Sequence, residues 1–271
     1  MTGVLVTLGD SLTEHGTWPD LLSAGMRRPV LREGRAGQTS TEIALRAGAH
    51  SIDFTTGDAA GDTGLALRPL RLPGDFRSRV DGGMADVAIV GDLEDRAGTL
   101  VHRVAATADA GWTFHADDGG TMEPRERMHF QPHALPLPPS AIVVLWCGRN
   151  NPGPAVPRDV DAILSALRSR DPGLRHLVLG VHAAAFEPVG TSASALIDEM
   201  NATLAHRHAE RFIDVRAALL ATAPTRDGTP APHLRIDDVH LSAAGDEVVA
   251  RVVRERLTAL GWWPATAGPP S

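Results

Sequence analysis

The sequence predicts an α/β fold: a doubly wound parallel sheet with a β-rich insertion. Three observations carry this. Strand and helix signals alternate over the first fifty residues and again after residue 140, the pattern of right-handed crossovers between parallel strands. Ala141–Cys147 is an uninterrupted apolar run of seven residues with β-branched members, which suits a strand buried on both faces. Between Ile52 and Pro139 the helical period fades and turn residues take over.

Taken in order, Val4–Leu8 reads as a buried strand that runs straight into a polar loop. Trp18–Met26 has helical spacing, Pro29-Val30-Leu31 opens a second short strand, and Thr39–Ala49 reads as a helix entered through a Thr/Ser cap. In the middle section, turn signals at Gly57-Asp58, Gly61-Asp62, Pro73-Gly74, Asp81-Gly82-Gly83 and Asp117-Asp118-Gly119-Gly120 separate strand-length pieces. These pieces, Asp86–Val90, Thr99–Ala105 and Gly111–His115, imply short antiparallel strands and hairpins, because a structureless loop of this length is unusual in a compact domain. Pro132, Pro136, Pro138 and Pro139 make a stiff return linker. Beyond the Ala141–Cys147 strand, Asp159–Ser169 carries apolar residues at 160, 163, 164 and 167, a helical spacing. Leu177–Val181 is a strand, Ala193–His208 a helix, Arg211–Val215 a strand, and Ser242–Leu260 a long closing helix. The chain thus divides into a discontinuous core, 1–51 and 140–263, an inserted β-rich unit, 52–139, and a tail, 264–271.

The 271 residues leave room for one large domain or a core plus an insertion, a typical domain being about 150 residues. At 43% apolar and 22% charged residues a sizeable core can be buried and global disorder is excluded. The formal charge of −7 repels phosphate, which argues against non-specific nucleic-acid or anionic-membrane binding. No apolar run approaches the roughly 20 residues of a membrane span. The single cysteine, Cys147, excludes an intramolecular disulfide framework and a multi-cysteine zinc site, and reads as a small buried hydrophobe. Gly3–Leu8 has neither a basic flank nor a cleavage site, so a cytoplasmic location is expected.

Four places can carry chemistry. Gly9-Asp10-Ser11-Leu12 follows the first strand, at the carboxyl end where open parallel sheets bind ligands, and a tight turn there exposes a serine hydroxyl. Taken alone, Ser11 is equally consistent with a helix N-cap. Gly34-Arg35-Ala36-Gly37-Gln38 follows the second strand, and its glycines allow a backbone N–H to face outward, as an oxyanion site requires; an ordinary turn into a helix is the simpler alternative. Trp146-Cys147-Gly148-Arg149-Asn150-Asn151 follows the strongest strand and offers an amide donor, or a simple turn. Asp237-Asp238-Val239-His240 precedes the last helix. A serine alcohol is a weak nucleophile and needs an imidazole to take its proton and a carboxylate to orient that imidazole. Asp237 and His240 supply both within one turn, although a solvated pair before a Ser242 cap would look the same.

Together the four blocks resemble the SGNH/GDSL hydrolases. Gly9-Asp10-Ser11-Leu12 matches the first block in full, Gly37 the second, Asn150 in Gly148-x-Asn150 the third, and Asp237-x-x-His240 the last. The resemblance covers about residues 1–50 and 140–260 and not the insertion. It implies a three-layer α/β/α, flavodoxin-like core that hydrolyses esters. Ser11 would be the nucleophile, His240 the general base and then acid, Asp237 its orienting carboxylate, and Ser11 N–H, Gly37 N–H and the Asn150 side chain the oxyanion hole. Asp10 would shape the turn. Two positions depart from the pattern. The third block usually ends in Asp where this chain has Asn151, and the second often has an asparagine at the position of Arg32. Both would alter the hydrogen bonds behind the oxyanion loops and not the catalytic groups.

No metal or other cofactor is expected. His206 and His208 are two apart on a helix and face different ways, and His129 and His133 flank Pro132 without regular spacing. Trp112 and Phe114 read as the insertion's core, although a β module over the catalytic edge would also form part of a pocket or bind carbohydrate. Trp262 and Trp263 read as packing back onto the core. The expected function is a serine esterase that removes a short acyl group from a small-molecule or carbohydrate alcohol. An acyltransferase would use the same residues. A non-catalytic binding module that uses the β insertion would tolerate loss of Ser11. A nucleotide-binding flavodoxin-like protein is disfavoured by the complete absence of lysine and of a G-x-G-x-x-G motif. Nothing in the pattern sets an oligomeric state.

Overall fold

A computed structural model describes residues 3–56, 64–74, 76, 78, 87–103 and 111–263. In chain order its elements are β1 (Leu5–Gly9), α1 (Ser11–Glu14), α2 (Trp18–Met26), β2 (Val30–Gly34), α3 (Ser40–Arg46), β3 (Ile52–Thr56), β4 (Leu65–Arg71), β5 (Val87–Leu93), β6 (Arg96–Arg103), β7 (Gly111–Ala116) and β8 (Met128–Pro132). There follow β9 (Ile142–Trp146), α4 (Ala155–Arg170), β10 (Arg175–Leu179), α5 (Ser192–His208), β11 (Phe212–Ile213), α6 (Val215–Thr222) and α7 (Ala243–Ala259).

Five strands form a wholly parallel sheet in the order β11-β10-β9-β1-β2. This is the flavodoxin-like order, and its direction of winding reverses between β1 and β9. Alternation along each strand feeds two cores. Leu5, Ile142, Val144 and Leu177 pack with Trp18, Leu22, Leu219 and Val249 from α2, α6 and α7. On the opposite face, Val6, Leu8, Val143 and Leu145 pack with Ile43, Val160, Leu164 and Leu204 from α3, α4 and α5. The result is the three-layer α/β/α core that the sequence implied.

The remaining six strands pair antiparallel and close into a barrel, β3-β4-β7-β6-β5-β8, which leaves no open sheet edge. Phe54, Ile89, Leu100, Trp112, Phe114 and Phe130 fill it, joined by Leu45 from α3. That helix faces two ways: Ile43, Ala44 and Ala47 meet the parallel sheet, and Leu45 meets the barrel.

The insertion is therefore antiparallel as expected, but it has six strands where three pieces stood out in the sequence. Pro69 hid β4: it sits beside a bulge where the register against Asp53 and Phe54 shifts, one of the few places a strand tolerates proline. Pro132, expected in a linker, ends β8 opposite Gly91. Helix α4 starts four residues earlier than expected because Pro157 falls within its first turn, where a missing N–H costs nothing. The strand expected over Arg211–Val215 contracts to Phe212–Ile213, since Asp214 accepts the Ala217 N–H (2.9 Å) and caps α6, a helix that the sequence reading lacked. The turn signals at 57–58, 61–62 and 81–83, the ends of two expected strands (86 and 104–105), and the tail fall outside the described residues. Among the described residues no helix is long and apolar enough to cross a membrane.

Candidate active site

Register brings the site together. Gly9 at the end of β1 lies beside Gly34 of β2 and Trp146 of β9, so the segments that follow leave the sheet side by side. Gly9 has to be glycine: a Cβ there would lie 2.3 Å from both Thr13 Oγ1 and the Trp146 carbonyl oxygen. The chain then turns into α1. Its N-cap is Asp10, whose Oδ1 accepts the Leu12 N–H (3.0 Å). This overturns the reading of Ser11 as a cap. Ser11 is the first residue of the helix, only 6% exposed, and its hydroxyl is committed elsewhere.

That commitment is to His240, 229 positions away, whose Nε2 lies 2.9 Å from Ser11 Oγ. His240 Nδ1 lies 2.8 Å from Asp237 Oδ2. A carboxylate only accepts, so Nδ1 carries the proton and the Nε2 lone pair receives the serine O–H. The other carboxylate oxygen of Asp237 accepts the N–H groups of Val239 (2.7 Å) and His240 (2.6 Å). Partial desolvation works to raise the Asp237 pKa. The backbone N–H groups of His240 and Val239 and the His240 ring outweigh it and hold the carboxyl below its ordinary range. The turn is closed by Ile236 N–H donating to the His240 carbonyl (3.0 Å), and Ser242 caps α7 behind it.

On the other side of Ser11, Gly37 has φ 74°, a left-handed conformation that glycine takes without strain. Glu14 at the end of α1 accepts the Ala36 N–H (2.5 Å), so the helix that begins at Ser11 pins this turn. Asn150 Nδ2 donates to the Gln38 carbonyl (2.9 Å), which joins the third block to the second and leaves the amide's other hydrogen for a ligand. Asn151 holds the first turn of α3 by accepting the Ser40 N–H (2.8 Å) and donating to Ser40 Oγ (3.0 Å). Ser40 Oγ in turn donates to Asp159 (2.6 Å), which also binds Thr41 and His50. Asn151 thus takes part in the hydrogen bonds that hold the start of α3 behind the Gly37 turn, together with the buried carboxylate of Asp159. Arg32 donates to the Glu14 carbonyl (3.0 Å) and pairs with Asp20 (2.8 Å), so it supports the far end of α1.

Sequence reasoning missed the layer beneath these loops. Arg149, fully buried, donates to the His182 carbonyl (2.7 Å) and to Glu187 (2.5 Å). An arginine beside Asn150 was the available signal, but its partners lie more than thirty positions away. Burial pushes the Asp10 carboxyl up to about 6, against partial relief from the Leu12 N–H and the Arg149 charge. Burial likewise raises the Cys147 thiol well above its usual range, leaving it an unreactive core group. Among the described residues no group of three or more His, Cys, Asp or Glu is placed to hold a metal. His129 bonds Asp53 (2.8 Å) and His133 pairs with Asp92 (3.0 Å).

No protein-family model and no curated protein matches the chain. Solved structures do. A member of the lipolytic protein G-D-S-L family from Veillonella parvula DSM 2008 is similar over 94% of this chain and 98% of its own, with TM-score 0.52 and 12% identity. A GDSL-like lipase from Bacteroides thetaiotaomicron VPI-5482 is similar over 96% and 89%, with TM-score 0.51 and 14% identity. The chain has the fold of the SGNH/GDSL hydrolases.

Proposed function

We propose that the protein is a serine esterase that acts through an acyl-serine intermediate on short-chain acyl esters of small alcohols or carbohydrates. One observation carries this reading: Ser11, His240 and Asp237 form an unbroken hydrogen-bonded relay, 2.9 Å and 2.8 Å, at the carboxyl edge of a parallel sheet. Ser11 Oγ attacks the ester carbonyl carbon as His240 Nε2 takes its proton. Asp237 stabilises the imidazolium without accepting that proton. The carbonyl oxygen becomes an oxyanion, held by the N–H groups of Ser11 and Gly37 and by the Asn150 amide. As the first residue of α1, Ser11 has an N–H with no acceptor inside its helix, so it is available for this role. Each such donor is worth about 3 kcal/mol in the transition state. Collapse expels the alcohol, protonated by the imidazolium, and a water activated by His240 then releases the acid.

A panel of p-nitrophenyl esters of increasing acyl length tests the proposal, together with fluorophosphonate labelling. Expected are turnover of short chains and label on Ser11, both lost in Ser11→Ala. Wild-type turnover by that variant would overturn the assignment.

A further inference from the structure

The turn that carries Asp237 and His240 is gripped from outside the four blocks. His182 lies in the loop after β10, 1% exposed, with its ring tilted against Trp146 at 6.0 Å. Its Nε2 is 2.8 Å from the Val239 carbonyl oxygen. A carbonyl only accepts, so the imidazole is the donor at Nε2. A second bond runs beside it, from Ala185 N–H to the Asp238 carbonyl (2.8 Å). Two consecutive carbonyls of the catalytic turn are thus held by one loop.

That loop is itself clamped. Arg149 holds the His182 carbonyl and Glu187 Oε1, and Glu187 Oε2 accepts the Ala184 N–H (2.7 Å). Burial, reinforced by the Arg149 charge, pushes the His182 pKa down to about 3, so the ring stays neutral and in one tautomer. The chain of contacts runs from Arg149, the residue before Asn150, through His182 to the peptide that precedes His240.

We infer that His182 is a positioning residue, whose Nε2–H bond to the Val239 carbonyl fixes the imidazole of His240 between Asp237 and Ser11. The inference rests on the esterase reading for its kinetic consequence but not for its structural one. Loss of the donor lets the turn relax and degrades the alignment needed for proton transfer, leaving substrate binding untouched.

Three variants test it on the full chain. His182→Leu removes the donor. His182→Gln places an amide N–H near the position of Nε2. His182→Asn places one near Nδ1, out of reach of Val239. With p-nitrophenyl acetate, the expected result is a kcat about 10²-fold lower in His182→Leu and His182→Asn at unchanged KM, the scale of a misplaced catalytic group, with recovery in His182→Gln. Proton NMR is the independent readout. The deshielded Nδ1–H signal of His240 bound to Asp237 is expected in wild type and His182→Gln, and to broaden or vanish in the other two. Should His182→Leu fail to fold, the Gln and Asn pair carries the test, since both are polar. If all three variants keep wild-type kcat and the NMR signal, or if Gln falls as far as Asn, the inference is wrong. If wild type hydrolyses no ester, the esterase reading fails alone, and the NMR signal still decides the role of His182.

Discussion

In the parallel sheet all strand ends point one way, so β1, β2 and β9 deliver Ser11, Gly37 and Asn150 to a single rim. In the barrel each strand runs against its neighbours, so successive ends alternate between two rims, and the inward side chains, such as Phe54, Trp112 and Phe114, close on one another. The central sheet strands β1 and β9 are buried along their whole length, whereas barrel strands such as β5 and β8 alternate buried and exposed residues. The common direction of the parallel strands is what gathers the candidate site's segments at one rim.

The largest effects should separate the two regions cleanly. Ser11→Ala and His240→Ala should each lower ester turnover by about 10⁴-fold or more while stability in urea changes by less than about 1 kcal/mol. Phe114→Ala should do the reverse. Phe114 is fully buried against Phe130, so truncation should cost about 3–5 kcal/mol in denaturant melts, with kcat per folded molecule unchanged. A fall in kcat for that variant under folding conditions would break the separation and point to α3, which supplies Ile43 to the sheet and Leu45 to the barrel.

A smaller effect sharpens the comparison within the rim. Asn150→Ala should lower kcat by about 10²–10³-fold, the cost of one oxyanion donor. Because Asn150 also binds the Gln38 carbonyl, part of that loss would reflect a looser Gly37 turn. Asn150→Asp keeps the shape but loses the donor to the Gln38 carbonyl as well as the one for the oxyanion, and adds a charge that opposes the oxyanion. It should be at least as slow as the alanine variant in steady-state assays.

The same contrast explains what the sequence could reveal. The sheet was legible because burial on both faces writes continuous apolar runs such as Ala141–Cys147. The candidate site was legible because each of its groups follows or precedes a strong element signal. The barrel's closure was not, since which strand pairs with which is settled by long-range register, and Pro69 at its bulge reads as a breaker. Nor was the support beneath the site. Arg149 reaches His182 and Glu187 across more than thirty positions, and Asn151 meets Ser40 across 111, so these pairings are products of topology. The capping alternative for Ser11 failed for a local reason: Asp10, one residue earlier, is the N-cap and accepts the Leu12 N–H.

The smallest predicted effect concerns pH, and again it belongs to the sheet. Folded His182 has a pKa near 3 against an ordinary 6.5, so below pH 6.5 the unfolded chain binds a proton that the folded chain refuses. Stability from this group is therefore present at neutral pH and falls on acidification, by about 2 kcal/mol between pH 6.5 and 5. His176, lowered to about 4 by burial and by Arg168 and Arg211, adds in the same direction. Asp10 opposes them. Its folded pKa of about 6 lies above the ordinary 3.8, so the folded chain holds a proton that the unfolded chain has released, and its contribution improves as pH falls from 6 towards 4. In the barrel, Asp53 is held below its ordinary value by His129 and Arg127, but it is only partly buried, and salt screens what it adds. Urea melts at pH 7, 6 and 5 should show a flatter acid decline in His182→Gln than in wild type, and a steeper one in Asp10→Asn. Equal slopes in all three would mean that neither buried group titrates apart from its unfolded value.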